Sequence, residues 1–194
     1  MTMAKPTTRE KLLSAGLETL HKWGFNATGV QDITDAAKVP KGSFYNHFES
    51  KDALGVEVVA RWAAMGAARR QPLVDGSGPP LARLRAHFKT LNQLGPASGF
   101  SRGCLLGNFG TELSTQSPAI RVAVEAALDD WTRAIAQVIA EAQEAGDVSG
   151  DLSADTLAGF VLNAWEGAVM RSRVEKSQAA LDDFLAVTFN KILT

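Results

Sequence analysis

Apolar side chains recur along the chain at the three- and four-residue spacing of amphipathic helices, and no stretch shows the alternation of a strand. The first helix is predicted to begin after an N-cap at Thr7 with Glu10 three residues later, and to end at Gly24. Prolines, glycines and serines over 71–80 and 95–99 predict loops. The chain is therefore predicted to be all-α. Further helices are expected over about 28–37, 41–48, 50–70, 81–91, 118–146, 153–174 and 177–193, and the glycine-rich segment that begins at Arg102 is expected to carry a short helix running on towards Ser114.

Composition narrows the class of protein further. The 194 residues are 45% hydrophobic with a net charge of −1, which excludes a disordered chain or a polyelectrolyte. No apolar window is long enough to cross a membrane, and the N-terminus lacks the apolar core of a secretory signal, so a cytoplasmic location is expected. The single cysteine, Cys104, excludes an internal disulfide and a cysteine-based zinc site. No metal-ligand spacing or phosphate-binding loop is evident, so no cofactor is expected.

Residues 28–48 have the form of a DNA-binding helix-turn-helix. A short helix capped by Thr28 is followed by a break at Lys38-Val39-Pro40 and by a second short helix, which would enter the major groove. An ordinary pair of packed short helices is the alternative. The candidate DNA contacts combine cations for phosphates, small hydrogen-bonding side chains and a glycine that permits close approach: Thr28, Lys38, Lys41, Gly42, Ser43, Tyr45, Asn46, His47 and Lys51.

The near-zero net charge does not exclude this partner. Residues 1–52 carry seven Lys or Arg against six Asp or Glu, and three of the lysines flank the second helix. Modest non-specific affinity is expected, so that binding depends on base contacts and half-site spacing.

Residues 8–60 resemble the DNA-binding domain of the TetR family of transcriptional regulators. The matching strings are AGLETLHKWGF at 15–25, TGVQDITDAA at 28–37 and KVPKGSFYNHFESKDAL at 38–54. The resemblance implies a three-helix helix-turn-helix domain over 1–52 and a larger helical ligand-binding and dimerisation domain over 53–194. It also implies a homodimeric repressor that binds palindromic double-stranded operator DNA and releases it when a small-molecule inducer binds.

The same resemblance places a dimer interface on the helices predicted over 118–146 and 153–174. Side chains at seam spacing, or small enough for close backbone approach, could face a partner; internal core is the alternative. The candidates are Val124, Leu128, Trp131, Ile135, Ala164 and Ala168.

The segment 103–114 is similar to a stretch in a TetR subgroup that includes repressors answering to electrophiles, quinones and unsaturated acids. In that subgroup a cysteine can be the sensing atom, so modification of Cys104 is a second possible release signal; a small buried hydrophobe is the alternative. The ligand pocket is expected to be mostly apolar. Its candidate residues are Trp62, Phe88, Leu91, Phe100, Cys104, Asn108, Phe109, Trp131 and Trp165.

Two other functions use the same features differently. A detoxifying enzyme could employ Cys104 as a nucleophile, but no base is recognisable within sequence range, so no catalytic residue is assigned. A helical interaction module without DNA binding is the third reading.

Overall fold

A computed structural model describes residues 6–194, which are helical and contain no strand. The predicted all-α class is thus confirmed. The helices are α1 (Thr8–Trp23), α2 (Val30–Ala37), α3 (Lys51–Val74), α4 (Pro80–Asn92), α5 (Leu94–Ala97), α6 (Leu105–Leu113), α7 (Pro118–Glu144), α8 (Ala154–Glu175) and α9 (Ala179–Val187), with a 3-10 turn at Lys41–Ser43 and a π-helical turn at Thr188–Ile192.

Local capping signals explain several helix boundaries. The Thr7 hydroxyl accepts from the backbone N–H of Glu10 at 3.2 Å, and the Ser153 hydroxyl accepts from that of Thr156 at 3.2 Å. Each therefore satisfies a donor that a helix N-terminus leaves without a partner. At the other end of α1, Gly24 has φ +88°, a conformation that side chains larger than glycine rarely adopt.

The second helix begins one residue later than predicted. Its N-cap is Gly29, whose N–H donates to the Asp32 carboxylate at 2.7 Å. Thr28 is only 1% exposed, and its hydroxyl donates to the carbonyl of Gly24 at 2.7 Å. The expectation that Thr28 caps α2 and offers its hydroxyl to a phosphate is therefore wrong. The side chain is buried, and its hydroxyl is hydrogen-bonded within the turn between α1 and α2.

The predicted loop over 95–99 is partly wrong, because α5 (Leu94–Ala97) lies in it. Two further elements differ from their predicted lengths. The helix expected over 41–48 is a 3-10 turn followed by hydrogen-bonded turns, in which Phe48 N–H donates to Phe44 O at 3.0 Å. The helix expected to end near residue 70 continues through Pro72 to Val74. The Arg83 guanidinium donates to the carbonyls of Leu73 and Val74, which caps this extension.

The chain forms two compact units that do not follow the predicted boundary at 52/53. Unit 1 contains the residues up to Ala63 together with Leu105–Ala127, and unit 2 contains Ala64–Cys104 and Leu128–Thr194. Unit 1 is built on fully buried side chains from its successive helices: Leu12, Leu20, Ile33, Phe44, Leu54 and Ile120. In unit 2 the buried side chains come mainly from α4, α7, α8 and α9: Leu84, Phe88, Ile135, Val138, Val161, Leu181 and Phe184.

Burial also corrects the expected dimer residues. Val124, Trp131 and Ile135 are at most 6% exposed, Val124 in unit 1 and the other two in unit 2. They are core residues of a single chain, because the seam spacing on α7 serves packing within the monomer. The others, Leu128, Ala164 and Ala168, are half-buried.

Candidate DNA-binding site and ligand cavity

The recognition segment, residues 38–48, alternates between buried anchors and exposed polar residues. Phe44 and Phe48 are 0% and 3% exposed, and their ring centroids lie 5.6 Å apart. These two rings attach the segment to the core of unit 1. The residues between and before them are exposed: Lys38, Lys41, Gly42, Tyr45, Asn46 and His47.

Gly42 lies at an open point of this surface. A Cβ atom built at this position would meet nothing within 4 Å, and its backbone does not adopt a positive φ. The fold itself therefore does not require glycine here. A bare backbone at this point leaves room for an external surface to approach closely.

Two of the predicted DNA contacts have hydrogen bonds within the chain. The Lys51 ammonium donates to the carbonyls of Phe25 and Thr28 at 2.9 and 3.0 Å and lies over the Phe25 ring at 4.3 Å. The Ser43 hydroxyl donates to the carbonyl of Pro40 at 2.5 Å. Both side chains therefore stabilise unit 1, and Lys51 closes the turn between α1 and α2.

A carboxylate that sequence reasoning missed holds the other side of that turn. Glu112, on α6, accepts from the backbone N–H groups of Phe25 and Asn26 at 2.9 and 2.5 Å. The ring of Phe109, one turn earlier on α6, packs edge-on against Phe25 at 5.8 Å. No local pattern signals this contact, because 86 and 87 residues separate its partners. In unit 1, α6 thus fixes the loop that leads into the helix-turn-helix.

Unit 2 contains a cluster of packed aromatic rings. Trp165 lies 5.2 Å from Trp131 and 6.2 Å from Phe88, and Phe88 lies 5.0 Å from Phe184. The buried Asn92 side chain connects three helices at this point. It accepts from Trp165 Nε1 at 2.9 Å and donates to the Leu181 carbonyl at 3.1 Å.

Several buried polar atoms in unit 2 have no hydrogen-bond partner among the described residues. Three of them are His87 Nε2, Trp131 Nε1 and Glu166 Oε1. Burial, followed by the charges of Arg70 and Arg69, lowers the pKa of the His87 imidazole from 6.5 to about 4. Burial raises the pKa of the Glu166 carboxyl, and a hydrogen bond with Cys104 opposes that rise. At neutral pH His87 is therefore uncharged.

A cavity of about 270 Å³ lies between α3 and α7 in unit 2. Arg70 on α3 pairs with Asp130 on α7, with Nη2 and Oδ2 3.3 Å apart. Arg133 pairs with the other oxygen of Asp130 at 3.0 Å. The remaining lining includes Gln71, Val74 and Gln137, so cationic and amide groups surround a single carboxylate.

Two family models cover most of this chain. Residues 12–58 match the model described as bacterial regulatory proteins, tetR family, and residues 80–188 match the tetracyclin repressor-like C-terminal domain. The chain belongs to the TetR family of transcriptional regulators. The second model alone covers more than half of it.

Individual relatives agree with this TetR assignment. The chain is 38% identical to the HTH-type transcriptional repressor DhaR of Mycobacterium sp. (strain GP1), over 98% of this chain and 95% of DhaR. It is 32% identical to the HTH-type transcriptional repressor NemR of Escherichia coli K12, over 96% and 94% of the two chains. The crystal structure of regulatory protein TetR from Rhodobacter sphaeroides superposes with a TM-score of 0.89 at 36% identity, covering 96% of this chain and 99% of that one.

The structure distributes the predicted pocket residues of this TetR-family protein over both units. Trp62 packs against His21 at 4.7 Å and Phe109 against Phe25, both in unit 1, where Asn108 also lies. The other candidates belong to unit 2: Phe88, Leu91, Phe100, Cys104, Trp131 and Trp165. The structure brings Phe88, Trp131 and Trp165 into one aromatic cluster. No described helix is long and apolar enough to cross a membrane.

His87 is expected to make stability depend on pH below neutrality. The unfolded imidazole binds a proton near pH 6.5, whereas the folded one does so only near pH 4. The unfolded chain thus holds the extra proton between these values, and stability falls by at most about 3 kcal/mol as pH drops through this window. Urea denaturation at several pH values should show this decrease in the wild type and a smaller one in His87→Phe. Equal pH dependence of the two proteins contradicts the assignment.

Proposed function

We propose that this chain is a ligand-responsive transcriptional repressor whose homodimer binds palindromic operator DNA through residues 38–47. The observation that carries the proposal is the exposed polar surface of the recognition segment. Phe44 and Phe48 attach this segment to the core, and at Gly42 no side chain covers its backbone. Lys38 and Lys41 supply cations for phosphates, and Tyr45, Asn46 and His47 supply hydrogen-bonding groups for phosphates or base edges. The repressors DhaR and NemR, which align over nearly the whole chain, support the same role.

A dimer interface is proposed on α8 and α9. The exposed residues Phe160, Met170 and Val174 lie on one side of α8 and are 52%, 62% and 74% exposed. Val187 at the end of α9 is 52% exposed. Asn163 and Gly167 continue the exposed side of α8, and a Cβ atom at Gly167 would meet nothing within 4 Å. An exposed apolar stripe at helical spacing is typical of a helix–helix interface between subunits.

Tyr45→Ala is expected to weaken operator binding about tenfold, because a phenol 60% exposed on the recognition segment would lose its contact with DNA. The measurement is a mobility-shift titration with DNA upstream of the protein's own gene. Trp23→Ala is the matched control, since Trp23 is 62% exposed but lies on α1. Absence of specific binding by the folded wild type, or equal losses in both variants, contradicts the proposal.

Modification of Cys104 is a second proposed release signal. Its support is the similarity to a protein whose solved structure is described as the E. coli NemR reduced form (TM-score 0.85, 28% identity, 97% of this chain and 98% of that one). Cys104→Ser is expected to keep full operator affinity but to lose release by N-ethylmaleimide. Release that persists in this variant contradicts the role, since Cys104 is the single cysteine.

The relatives' names also bear on the enzyme alternative. DhaR and NemR are both described as transcriptional repressors, and we propose no catalytic role for this chain. Turnover of an electrophile, as opposed to stoichiometric modification of Cys104, would contradict that.

A further inference from the structure

Arg70 is a buried cation whose charge is only weakly neutralised by its one carboxylate partner. The residue is 6% exposed, yet its carboxylate partner Asp130 is 58% exposed and lies at the long distance of 3.3 Å. Burial accordingly lowers the pKa of the guanidinium. A guanidinium has five N–H donors, and burying such a charge is costly unless an anion with good geometry pairs with it.

The cavity borders this guanidinium and has the composition of a small ligand site. Its volume of about 270 Å³ suits a molecule of a few heavy atoms. Ala67, Val74 and Ala134 form its apolar walls. Its charged residues are two arginines, Arg70 and Arg133, and one carboxylate, Asp130, so its net charge is positive. The net excess of cationic groups favours an anion with a short apolar body.

The neighbouring Trp131 adds to the excess of donors. Its ring lies 5.7 Å from Arg70 Cζ, and its Nε1–H is buried with no acceptor among residues 6–194. Buried donors in native proteins are nearly always paired, so an unpaired indole N–H beside a buried guanidinium favours a ligand that accepts hydrogen bonds. Trp131 does not itself line the cavity, and the guanidinium of Arg70 is the buried donor on its wall.

We propose that the cavity between α3 and α7 binds a small organic carboxylate, which forms a charge-assisted pair with Arg70 in place of Asp130. The planar guanidinium matches a carboxylate in a two-bond arrangement, and the apolar walls hold the short hydrocarbon part. The inference rests on the proposed function, because a ligand-responsive repressor needs an effector site and this cavity would supply it. Exchange of Asp130 for the ligand removes the ion pair between α3 and α7, and α3 is also the helix that begins at Lys51.

The test is isothermal titration of the full-length protein without DNA, using propionate and benzoate at constant ionic strength. Propionamide and benzamide are the matched neutral probes, because they keep the shape and lose the charge. Three variants accompany the wild type: Arg70→Gln, Asp130→Asn and the control Arg121→Gln. Arg121 is an exposed arginine on α7 that pairs with Glu125 and does not line the cavity.

The proposal expects a carboxylate to bind and its amide not to bind. Arg70→Gln should weaken carboxylate binding about 30-fold, because a desolvated charge pair is lost. Asp130→Asn should tighten it about threefold, because the competing carboxylate is gone. Arg121→Gln should leave it unchanged, and thermal melts confirm that each variant is folded.

Other results overturn the proposal. These are equal binding of acid and amide, no binding of either acid, unchanged affinity in a folded Arg70→Gln protein, or unchanged or weaker affinity in Asp130→Asn. If Arg70→Gln does not fold, Arg70→Lys keeps the charge and loses the planar fork, so an unchanged affinity there overturns the proposal equally. Operator binding is measured separately without carboxylate, so a failure of the repressor proposal is distinguishable from a failure of the carboxylate site.

Discussion

Replacing both Met170 and Val174 with glutamate is expected to make the protein monomeric and to weaken operator binding by about 100-fold or more. The two side chains are 62% and 74% exposed on one chain, so the change should not disturb the fold. In a dimer, however, each glutamate would be buried against apolar surface, and burial of an unpaired carboxylate is costly. A monomer also loses the second half-site, which in the dimer binds at a high effective concentration.

The measurements are light scattering after size exclusion and a mobility-shift titration on the same samples. Leu152→Glu combined with Leu94→Glu is the control, since these side chains are 54% and 46% exposed in unit 2 but lie outside the α8–α9 surface. The control should stay dimeric and keep its operator affinity. A dimer that survives in the Met170/Val174 variant would place the interface elsewhere.

Asn92→Leu is expected to lower the free energy of unfolding by about 3 kcal/mol, because it leaves the buried Trp165 N–H without an acceptor and removes one hydrogen bond from the Leu181 carbonyl. The amide carbonyl accepts from Trp165 Nε1, and the amide nitrogen donates to the Leu181 carbonyl. Leucine has a similar volume but can satisfy neither group. The variant therefore retains packing, while the indole N–H loses its acceptor and the carbonyl keeps only its partner within α9.

Urea denaturation monitored by circular dichroism measures this loss. Thr90→Val is a control on the same helix, because its hydroxyl donates to Ala86 O at an exposed position and should change stability by less than about 0.5 kcal/mol. Trp165→Phe should cost less in the Asn92→Leu background than in the wild type, since the indole donor has then already lost its acceptor. A loss below about 1 kcal/mol in Asn92→Leu would contradict the argument.

The helices and their starts were predictable because their signals are local. The caps at Thr7 and Ser153 act over three residues, and apolar spacing repeats within four. The anchoring of the recognition segment was predictable for the same reason, since Phe44 and Phe48 lie four residues apart and are both buried, although the segment is a 3-10 turn with further turns and not the α-helix expected. One local signal misled: Thr28 resembles an N-cap, but its hydroxyl satisfies the Gly24 carbonyl instead.

Which apolar face meets the core and which remains exposed was decided only by the tertiary structure. The spacing of Trp131 and Ile135 suits a partner helix as well as the chain's own core, and the fold buries both. The attachment of Glu112 to the turn after α1 and the pairing of Arg70 with Asp130 join residues 86 and 60 positions apart. Such contacts produce no periodic pattern in the sequence, because each depends on how two helices that are distant along the chain pack together. By itself the sequence determined the helices, their capped starts and the family resemblance, whereas the chain's packing decided which side chains remain available to DNA, ligand or a second subunit.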